Sequence, residues 1–228
     1  MQKKKFMIMG YVMATIVVTG YLSMIAYLLR GVPVSVPVVE KTIIEKKVAI
    51  TFDDGPNEDY TADLLKGLKE RGVSATFFLL GTEVEKYPKL VEQIHADGHL
   101  IGTHSYQHVN LCNLTDEKAI KQVVKTNQVI EEVIGECPQF IRPPFGCWKK
   151  DLDYNTTMIE ILWDIDPKDW CTNNTNIIVQ RVLKNVEDGD IILMHDASKS
   201  SVNAALQIID SLQKEGYLFV TADELVLD

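Results

Sequence analysis

Two hydrophobic patterns divide the chain into an N-terminal segment and a larger remainder. From Phe6 to Leu29 the sequence runs 24 residues without a charged side chain, whereas after residue 45 short apolar runs alternate with helical spacings. A helix over the first run would be about 36 Å long, which exceeds the ~30 Å hydrocarbon core of a bilayer. We therefore predict a transmembrane helix over residues 6–29 and a folded domain over residues 46–228.

The flanks of the apolar run predict how it is oriented. Three consecutive lysines, Lys3–Lys5, precede it, and cationic residues beside a span stay on the cytoplasmic side. Residues 1–5 are then a cytoplasmic tail, residues 30–45 a spacer, and the domain lies outside the cell membrane on a single-pass anchor. A cleavable signal peptide is the alternative, but its apolar core usually has about 7–15 residues before an A-x-A pattern. The longer run, without that pattern, favours an uncleaved anchor.

Strand-like and helix-like patterns alternate after the spacer. Val48–Phe52 is nearly all apolar, as expected of a strand buried on both faces. Tyr60–Arg71 has leucines at helical spacing and ends at Gly72, a typical C-cap. Further strands are predicted at 75–80, 99–103, 140–142, 158–164, 191–195 and 217–220, with helices at 87–97, 115–134, 175–186 and 201–216. Repeated β-then-α units predict an α/β fold with a parallel sheet, open or closed into a barrel.

Charge excludes one class of partner. The formal net charge is −9 at pH 7, and the first 30 residues, with four cationic and no acidic side chains, contribute +4. The remaining 198 residues therefore carry −13, and an acidic domain lacks the basic face that binding to nucleic-acid phosphates requires. We predict no nucleic-acid partner and interpret the acidic surface as a source of solubility.

The four cysteines, Cys112, Cys137, Cys147 and Cys171, all lie in the predicted outer domain. None has the C-x-x-C spacing of a zinc ribbon or a thioredoxin-like site. An extracellular compartment permits two disulfides with three possible pairings, and it equally permits free buried thiols. The sequence leaves these alternatives open, as it does the oligomeric state.

Candidate metal ligands follow the first and third predicted strands. The first strand runs into Asp53 and Asp54, and the third runs into His104 and, four residues later, His108. In parallel α/β folds the carboxyl ends of the strands meet at one edge and carry the chemistry. Two imidazoles and one carboxylate leave a fourth position open for water, as in catalytic zinc sites, and the second aspartate is then the candidate base. The Asp-Asp-Gly-Pro sequence alone is equally well explained as a turn.

Further candidates stand at later strand ends. Arg142 opens a rigid Arg-Pro-Pro-Phe-Gly turn, His195 ends the strand over 191–195, and residues 163–170 contain three acids and two tryptophans. Taken singly, these features are explained as well by a surface arginine, a core histidine and an acidic loop with aromatic anchors.

In their order along the chain, these motifs resemble those of the NodB-homology polysaccharide deacetylases, carbohydrate esterase family 4. The matching segments are Thr51–Pro56 for the first motif, His104–His108 for H-[ST]-x-x-H, Arg142–Gly146 for the Arg-Pro motif, Asp166–Trp170 for D-x-x-D-W and Leu193–His195 for L-x-H. The resemblance covers residues 46–225. It implies a distorted parallel (β/α) barrel, here preceded by the predicted membrane helix.

The resemblance also implies roles for the central residues. Asp54, His104 and His108 would bind one divalent metal ion, zinc or another such as cobalt. Asp53 would be the general base that takes a proton from the metal-activated water. His195 would be the general acid that protonates the departing sugar amine.

Supporting roles follow from the same resemblance. Arg142 would hold Asp53 in place, and Asp169 would orient His195, with Asp166 as the second choice for that task. The substrate would meet the three remaining motif residues: the backbone N–H of Phe145 at the oxyanion, and Trp170 and Leu193 at the acetyl methyl group.

The implied activity is metal-dependent hydrolysis of N-acetyl groups from an N-acetylglucosamine-containing polysaccharide, foremost peptidoglycan, with release of acetate. Phe145 stands where the family commonly has tyrosine, and no arginine follows Pro143-Pro144 as it often does in muramic-acid deacetylases. The second departure favours an N-acetylglucosamine unit. The alternatives are a deacetylase of another glycan or small acetamide, a non-catalytic carbohydrate-binding relative, and a structural membrane protein.

Overall fold

The computed structural model describes residues 2–29, 45–149 and 158–227, and the chain forms two compact units, residues 1–43 and 44–228. The first unit holds helix α1, Gln2–Leu29. Within the described residues, no helix combines the length and the apolar composition that a membrane crossing requires. The transmembrane helix over residues 6–29 is therefore not supported by the structure and stays a prediction. The spacer over residues 30–45 lies outside the described residues, apart from residue 45.

The second unit alternates strands with helices. Its strands are β1 (Lys46–Asp53), β2 (Thr76–Leu79), β3 (Leu100–Thr103), β4 (Phe140–Ile141), β5 (Ile159–Glu160), β6 (Ile191–His195) and β7 (Tyr217–Val220). Its helices are α2 (Thr61–Arg71), α3 (Gly81–Lys86), α4 (Pro88–Ala96), α5 (Asp116–Ile134), α6 (Thr175–Leu183), α7 (Lys199–Lys214) and α8 (Ala222–Leu227). Short 3-10 turns lie at Leu111–Asn113, Pro144–Gly146 and Asp169–Cys171.

The described strands pair in parallel throughout. Their order across the sheet is β5–β4–β3–β2–β1–β6, and β7 pairs with the first half of β1. Beyond β5 the chain crosses to the opposite edge, where the carbonyl of Ile165 accepts a hydrogen bond from the Leu193 N–H of β6 at 2.9 Å. The sheet is therefore curled towards closure, and the predicted parallel (β/α) fold is confirmed.

Strand β1 lies at the centre of the core and holds the site residues that follow it. Val48, Ile50 and Phe52 are fully buried in the main core, where apolar helix faces pack against them. Ala49, on the opposite face, is fully buried with Phe78 in a second core cluster. Because both faces are covered, β1 is apolar at successive positions instead of alternating. Burial of one large apolar side chain contributes about 1.5–3 kcal/mol, so these contacts anchor β1 in the core.

One predicted strand is wrong in extent. The run over residues 158–164 forms only the two-residue strand β5. The carbonyls of Ile161 and Leu162 accept hydrogen bonds from the guanidinium of Arg142 at 3.1 and 2.8 Å, and these contacts draw the chain out of the ladder. Hydrophobic periodicity also missed α3, because six residues are too few to show a repeat.

Two glycines end helices as predicted. Gly72 after α2 and Gly135 after α5 have φ values of 62° and 77°, a left-handed conformation that costs glycine least. Thr115 precedes α5 with an extended backbone, as expected of an N-cap, but its side chain makes no capping hydrogen bond.

Candidate active site

Four strand ends bring the candidate residues to one edge of the sheet. Asp53 ends β1, and His195 at the end of β6 is its partner across the parallel ladder. Strands β3 and β4 end side by side, so His104 and Arg142, which follow them, are also neighbours. The residues singled out from distant motifs are thereby brought together.

Asp54, His104 and His108, which we call the metal set, form a group that can hold a metal ion. Each offers one ligand atom, and the three atoms lie within 4.8 Å of one another. Asp54 Oδ1 is 3.5 Å from Nε2 of each histidine, close to the ~3.4 Å ligand spacing of tetrahedral zinc with bonds of about 2.1 Å. The same oxygen is buried and has no hydrogen-bond partner among the described residues. A divalent cation therefore fits this donor set.

His104 has the protonation state of a metal ligand. Its Nδ1 lies 2.6 Å from the carbonyl oxygen of Arg142. Because a carbonyl only accepts, Nδ1 carries the hydrogen and Nε2 keeps a free lone pair on the side of Asp54. Burial lowers the pKa of His104, against the opposing charges of Asp53 and Asp54. The imidazole is therefore neutral, which is the form that binds metal.

The loops that carry the metal set adopt unusual backbone conformations. Asp54, Ser105 and His108 have φ values of 72°, 67° and 53°, and Phe145 has a φ of 60°. Residues other than glycine enter this left-handed region rarely and persist there only where surrounding contacts hold them. Their concentration around one group of ligands is typical of a functional site.

Asp53 lies beside the metal set but is held by a different partner. Its Oδ1 accepts a hydrogen bond from Arg142 Nη1 at 2.9 Å, and its Oδ2 is 3.8 Å from Nε2 of His104. Arg142 is completely buried, donates to Thr51 Oγ1 at 2.5 Å and stacks over the ring of Phe78 at 4.3 Å. A surface position for Arg142 is therefore wrong. The guanidinium fixes one oxygen of Asp53 and leaves the other on the side of the metal set.

Asp169 contacts the predicted general acid, and Asp166 has another partner. His195 Nδ1 is 2.9 Å from Asp169 Oδ1, and the backbone N–H of His195 donates to Asp169 Oδ2 at 2.9 Å. The carboxylate of Asp166 accepts a hydrogen bond from the Lys168 N–H at 2.7 Å. Nε2 of His195 is then 3.9 Å from Asp54 Oδ2. The geometry favours Asp169 as the residue that orients His195.

The surroundings of His195 keep its imidazole protonated. Burial acts to lower its pKa, but the hydrogen bond and charge of Asp169, with the charges of Asp53 and Asp54, raise the pKa to about 9. A cation on Asp54 offsets part of this effect, so Asp169 becomes the main support when metal is bound. A protonated imidazole at neutral pH can act as a general acid.

The three predicted substrate contacts lie in different environments. Phe145 is 66% exposed, and its ring packs edge-on against His108 with centroids 4.8 Å apart. Trp170 is 65% exposed, directly after Asp169, whereas Leu193 is only 5% exposed inside β6. Two aromatic rings are thus accessible to a ligand, and the substrate roles of all three residues stay predictions.

Thr61 and Asp196 were missed by the sequence analysis. Asp196 is buried directly after His195 and accepts a hydrogen bond from Thr61 Oγ1, and Thr61 Oγ1 accepts one from the Asn57 N–H at 2.6 Å. Burial raises the pKa of Asp196 to about 6, although the Thr61 hydrogen bond opposes this. A Cβ atom at Gly55 would lie 2.9 Å from Asp196 Oδ2, so glycine permits this close approach. These contacts tie the loop after β1 to the end of β6.

Gln122 of α5 was also missed. Its Oε1 accepts hydrogen bonds from the backbone N–H groups of Tyr106 and Gln107, at 3.0 Å each. These two residues lie in the loop between His104 and His108. A polar residue in the middle of a helix carries no local signal for such a contact, which therefore emerges only from the tertiary structure.

One disulfide lies close to the site. Cys112 and Cys147 are bonded, with Cα atoms 5.9 Å apart, whereas Cys137 and Cys171 are free. The outcome lies between the two alternatives that the sequence left open, because one disulfide forms and the two free thiols are not buried.

Comparisons with known proteins identify relatives of the domain. The family profile described as polysaccharide deacetylase matches residues 40–162. The chain is 40% identical over 181 residues to the peptidoglycan-N-acetylmuramic acid deacetylase PdaC of Bacillus subtilis, covering 79% of this chain and 39% of that protein. It is 37% identical over 192 residues to the peptidoglycan-N-acetylglucosamine deacetylase PgdA of Listeria monocytogenes, covering 84% and 41%. The chain thus spans about two fifths of the length of these relatives.

Solved structures agree with the sequence matches. The structure of PdaC from Bacillus subtilis matches with a TM-score of 0.77 and 39% identity, over 80% of this chain and 91% of that chain. A family 4 acetyl xylan esterase from Clostridium thermocellum, solved with a cobalt ion, matches with a TM-score of 0.74 and 33% identity, over 80% and 91%. On the matched profile, the relatives and the shared fold, this chain belongs to the polysaccharide deacetylase family, carbohydrate esterase family 4.

Proposed function

We propose that this protein is a metal-dependent hydrolase that removes N-acetyl groups from an N-acetylglucosamine-containing polysaccharide, foremost peptidoglycan. The observation that carries the proposal is the arrangement around the metal set. Asp53, which Arg142 holds, has its Oδ2 3.8 Å from Nε2 of His104. His195, which Asp169 holds, has its Nε2 3.9 Å from Oδ2 of Asp54. A base, an acid and a cation site are therefore close enough to act on one amide bond.

Each component has a defined chemical task. Asp54, His104 and His108 would hold a divalent ion, which would lower the pKa of a bound water and polarise the acetamide carbonyl. Asp53, fixed by Arg142, accepts a proton as the water attacks the carbonyl carbon. The backbone N–H of Phe145 donates a hydrogen bond to the developing oxyanion. His195 then gives its proton to the sugar nitrogen as the C–N bond breaks, so that the products are acetate and a free amine.

The names of the relatives support peptidoglycan as the substrate. One is named for N-acetylmuramic acid and the other for N-acetylglucosamine. Between the two sugars, the lack of an arginine after Pro143-Pro144 favours N-acetylglucosamine. Phe145 keeps the backbone N–H that the mechanism uses, and only its exposed ring differs from the family's common tyrosine.

Metal removal is expected to abolish acetate release. We propose zinc as the ion, with cobalt able to replace it, because two imidazoles and one carboxylate suit either metal. Excess chelator should lower the rate on N-acetylglucosamine oligomers and on peptidoglycan by at least about 100-fold, and zinc or cobalt should restore it. Magnesium, which prefers all-oxygen ligands, is the control that should not restore it. Acetate release that persists in excess chelator would refute the metal mechanism.

Asp169→Asn is expected to shift the alkaline limb of the pH–rate profile to lower pH. Without this carboxylate His195 loses the hydrogen bond and the charge that most raise its pKa, so the general acid loses its proton at lower pH. We expect kcat/KM at about pH 8 to fall by roughly 10–10³-fold. Asp166→Asn is the matched control, because Asp166 bonds to Lys168 and not to His195. An unchanged alkaline limb in Asp169→Asn would mean that another group supplies the proton.

We further propose that the domain lies outside the cell membrane on an uncleaved N-terminal anchor. The uncharged run over residues 6–29 and the lysines at Lys3–Lys5 support this orientation. The full-length protein should remain in the membrane fraction after alkaline washing, with its domain open to protease added to wall-stripped cells. A secreted protein whose N-terminus maps beyond residue 30 would show cleavage instead.

A further inference from the structure

The Cys112–Cys147 disulfide joins the two segments that flank the metal set. Cys112 follows His108 by four residues, and Cys147 follows Phe145 by two. The two cysteines are 35 residues apart in sequence, and their Cα atoms are 5.9 Å apart. A covalent bond therefore links the segment after a metal ligand to the segment that carries the proposed oxyanion donor.

The backbone of the Phe145 segment requires support at both ends. Phe145 and Gly146 both have positive φ values, 60° and 66°, and phenylalanine remains in that region only where its surroundings hold it. On the upstream side Arg142 is buried and bonded to Asp53. On the downstream side Cys147 follows immediately. The disulfide is thus the downstream support of a turn whose upstream support is Arg142.

Non-covalent contacts also join these segments, and Trp148 and Leu114 both pack against the buried cluster that contains Leu111. Lys149 Nζ donates to the carbonyl of Leu114 at 2.6 Å and pairs with Asp116 Oδ1 at 3.0 Å. Asp116 is largely exposed, and exposed ion pairs hold their partners loosely. The ring of Phe145 packs on His108 at 4.8 Å, which shows how close the two segments come. The disulfide differs from these contacts because thermal motion does not break a covalent bond, so the two segments stay joined.

We propose that the Cys112–Cys147 disulfide positions Phe145 beside the metal set, so that breaking it lowers turnover more than it weakens binding of substrate or metal. This inference rests on the proposed deacetylase function. The two cysteines are positioning residues that act through Phe145. A donor to an oxyanion acts in the transition state, so its displacement is felt in kcat and not in KM.

The test compares a Cys112→Ser/Cys147→Ser variant with wild type and with Cys137→Ser, which removes a free thiol away from the metal set. We expect the double variant to lose about 10–100-fold in kcat, with KM and zinc affinity changed by less than about twofold. The control should match wild type. The values of kcat, KM and zinc affinity should be measured at a temperature at which circular dichroism shows that all three proteins are folded.

Chemical reduction provides the second arm. A water-soluble phosphine breaks the S–S bond and is oxidised to the phosphine oxide with oxygen from water, and the two hydrogens of that water go to the two sulfurs. Wild type should then show the same fall in kcat, while the double serine variant should not respond. Equal kcat before and after reduction would overturn the proposal. So would a parallel loss of zinc affinity, because the bond would then act through His108.

Hydrogen exchange gives a readout that does not depend on activity. Peptides covering residues 140–149 should exchange faster in the double serine variant, whereas β1 should keep its protection. Unchanged exchange over residues 140–149 would also overturn the proposal. If wild type releases no acetate, the proposed function fails, and the exchange data still decide whether the disulfide holds Phe145.

Discussion

An Asp53→Asn variant is expected to keep its metal while kcat falls by about 10²–10⁴-fold. Asparagine has nearly the same shape, and its amide oxygen can still accept the Arg142 hydrogen bond that Asp53 Oδ1 accepts at 2.9 Å. It cannot take up a proton, so the attacking water loses its base. Asp53 is not in the metal set, so zinc content should be unchanged. Acetate release and metal analysis of the purified variant measure the two effects.

A control is needed because Asp53 also neutralises a buried cation. Removing its charge leaves Arg142 without its counter-charge, which can cost about 3–5 kcal/mol of stability. Thr51→Val is the matched control, since Thr51 Oγ1 accepts a hydrogen bond from the same Nη1 atom at 2.5 Å but is no base. We expect it to lose stability and to keep kcat within about tenfold. Near-normal turnover of Asp53→Asn would mean that the base lies elsewhere.

An Asp54→Asn variant is expected to lose both metal and activity. Asp54 supplies the only negative charge of the metal set, and its Oδ1 is 3.5 Å from Nε2 of both His104 and His108. Residues that only hydrogen-bond to a metal ligand typically contribute about 10–100-fold to metal affinity. Asp54 would bind the metal directly, so its loss should weaken zinc binding by at least about 100-fold. Asparagine is the right replacement because it tolerates the φ of 72° better than most residues.

Competition with a chelating dye gives the zinc affinity of this variant. Asp63→Asn is the matched control, because Asp63 is an exposed acid in the first turn of α2 and should leave affinity and kcat unchanged. Wild-type zinc affinity in Asp54→Asn would remove Asp54 from the metal set. The two variants also distinguish the roles of the two aspartates. Asp53→Asn should bind metal but show no turnover, whereas Asp54→Asn should neither bind metal nor show turnover.

Long apolar runs and glycine caps were predictable because their signals are local. Strands β6 and β7 have the bounds that their apolar runs predict, and Gly72 and Gly135 end helices in the left-handed conformation. The motifs at the ends of β1 and β3 were recognisable for a related reason. A parallel sheet collects its strand ends at one edge, so residues far apart in sequence could be expected to meet there.

Contacts between distant segments were not predictable in this way. The strand predicted over residues 158–164 shrinks to β5 because Arg142 binds the carbonyls of Ile161 and Leu162. Gln122 reaches the loop between the metal-set histidines from a helix whose pattern shows only amphipathic spacing. Neither contact has a signature within the residues that surround it in sequence.

By itself the sequence determined the succession of strands and helices and the residue types available at each strand end. Hydrophobic period, turn chemistry and capping depend on neighbours within a few positions, so one chain is enough to show them. The tertiary structure alone decided that Gln122 holds the loop between the metal-set histidines, that Thr61 bonds Asp196, and that Cys112 bonds Cys147. Each of these outcomes depends on distances across the fold, which packing sets and local sequence does not encode.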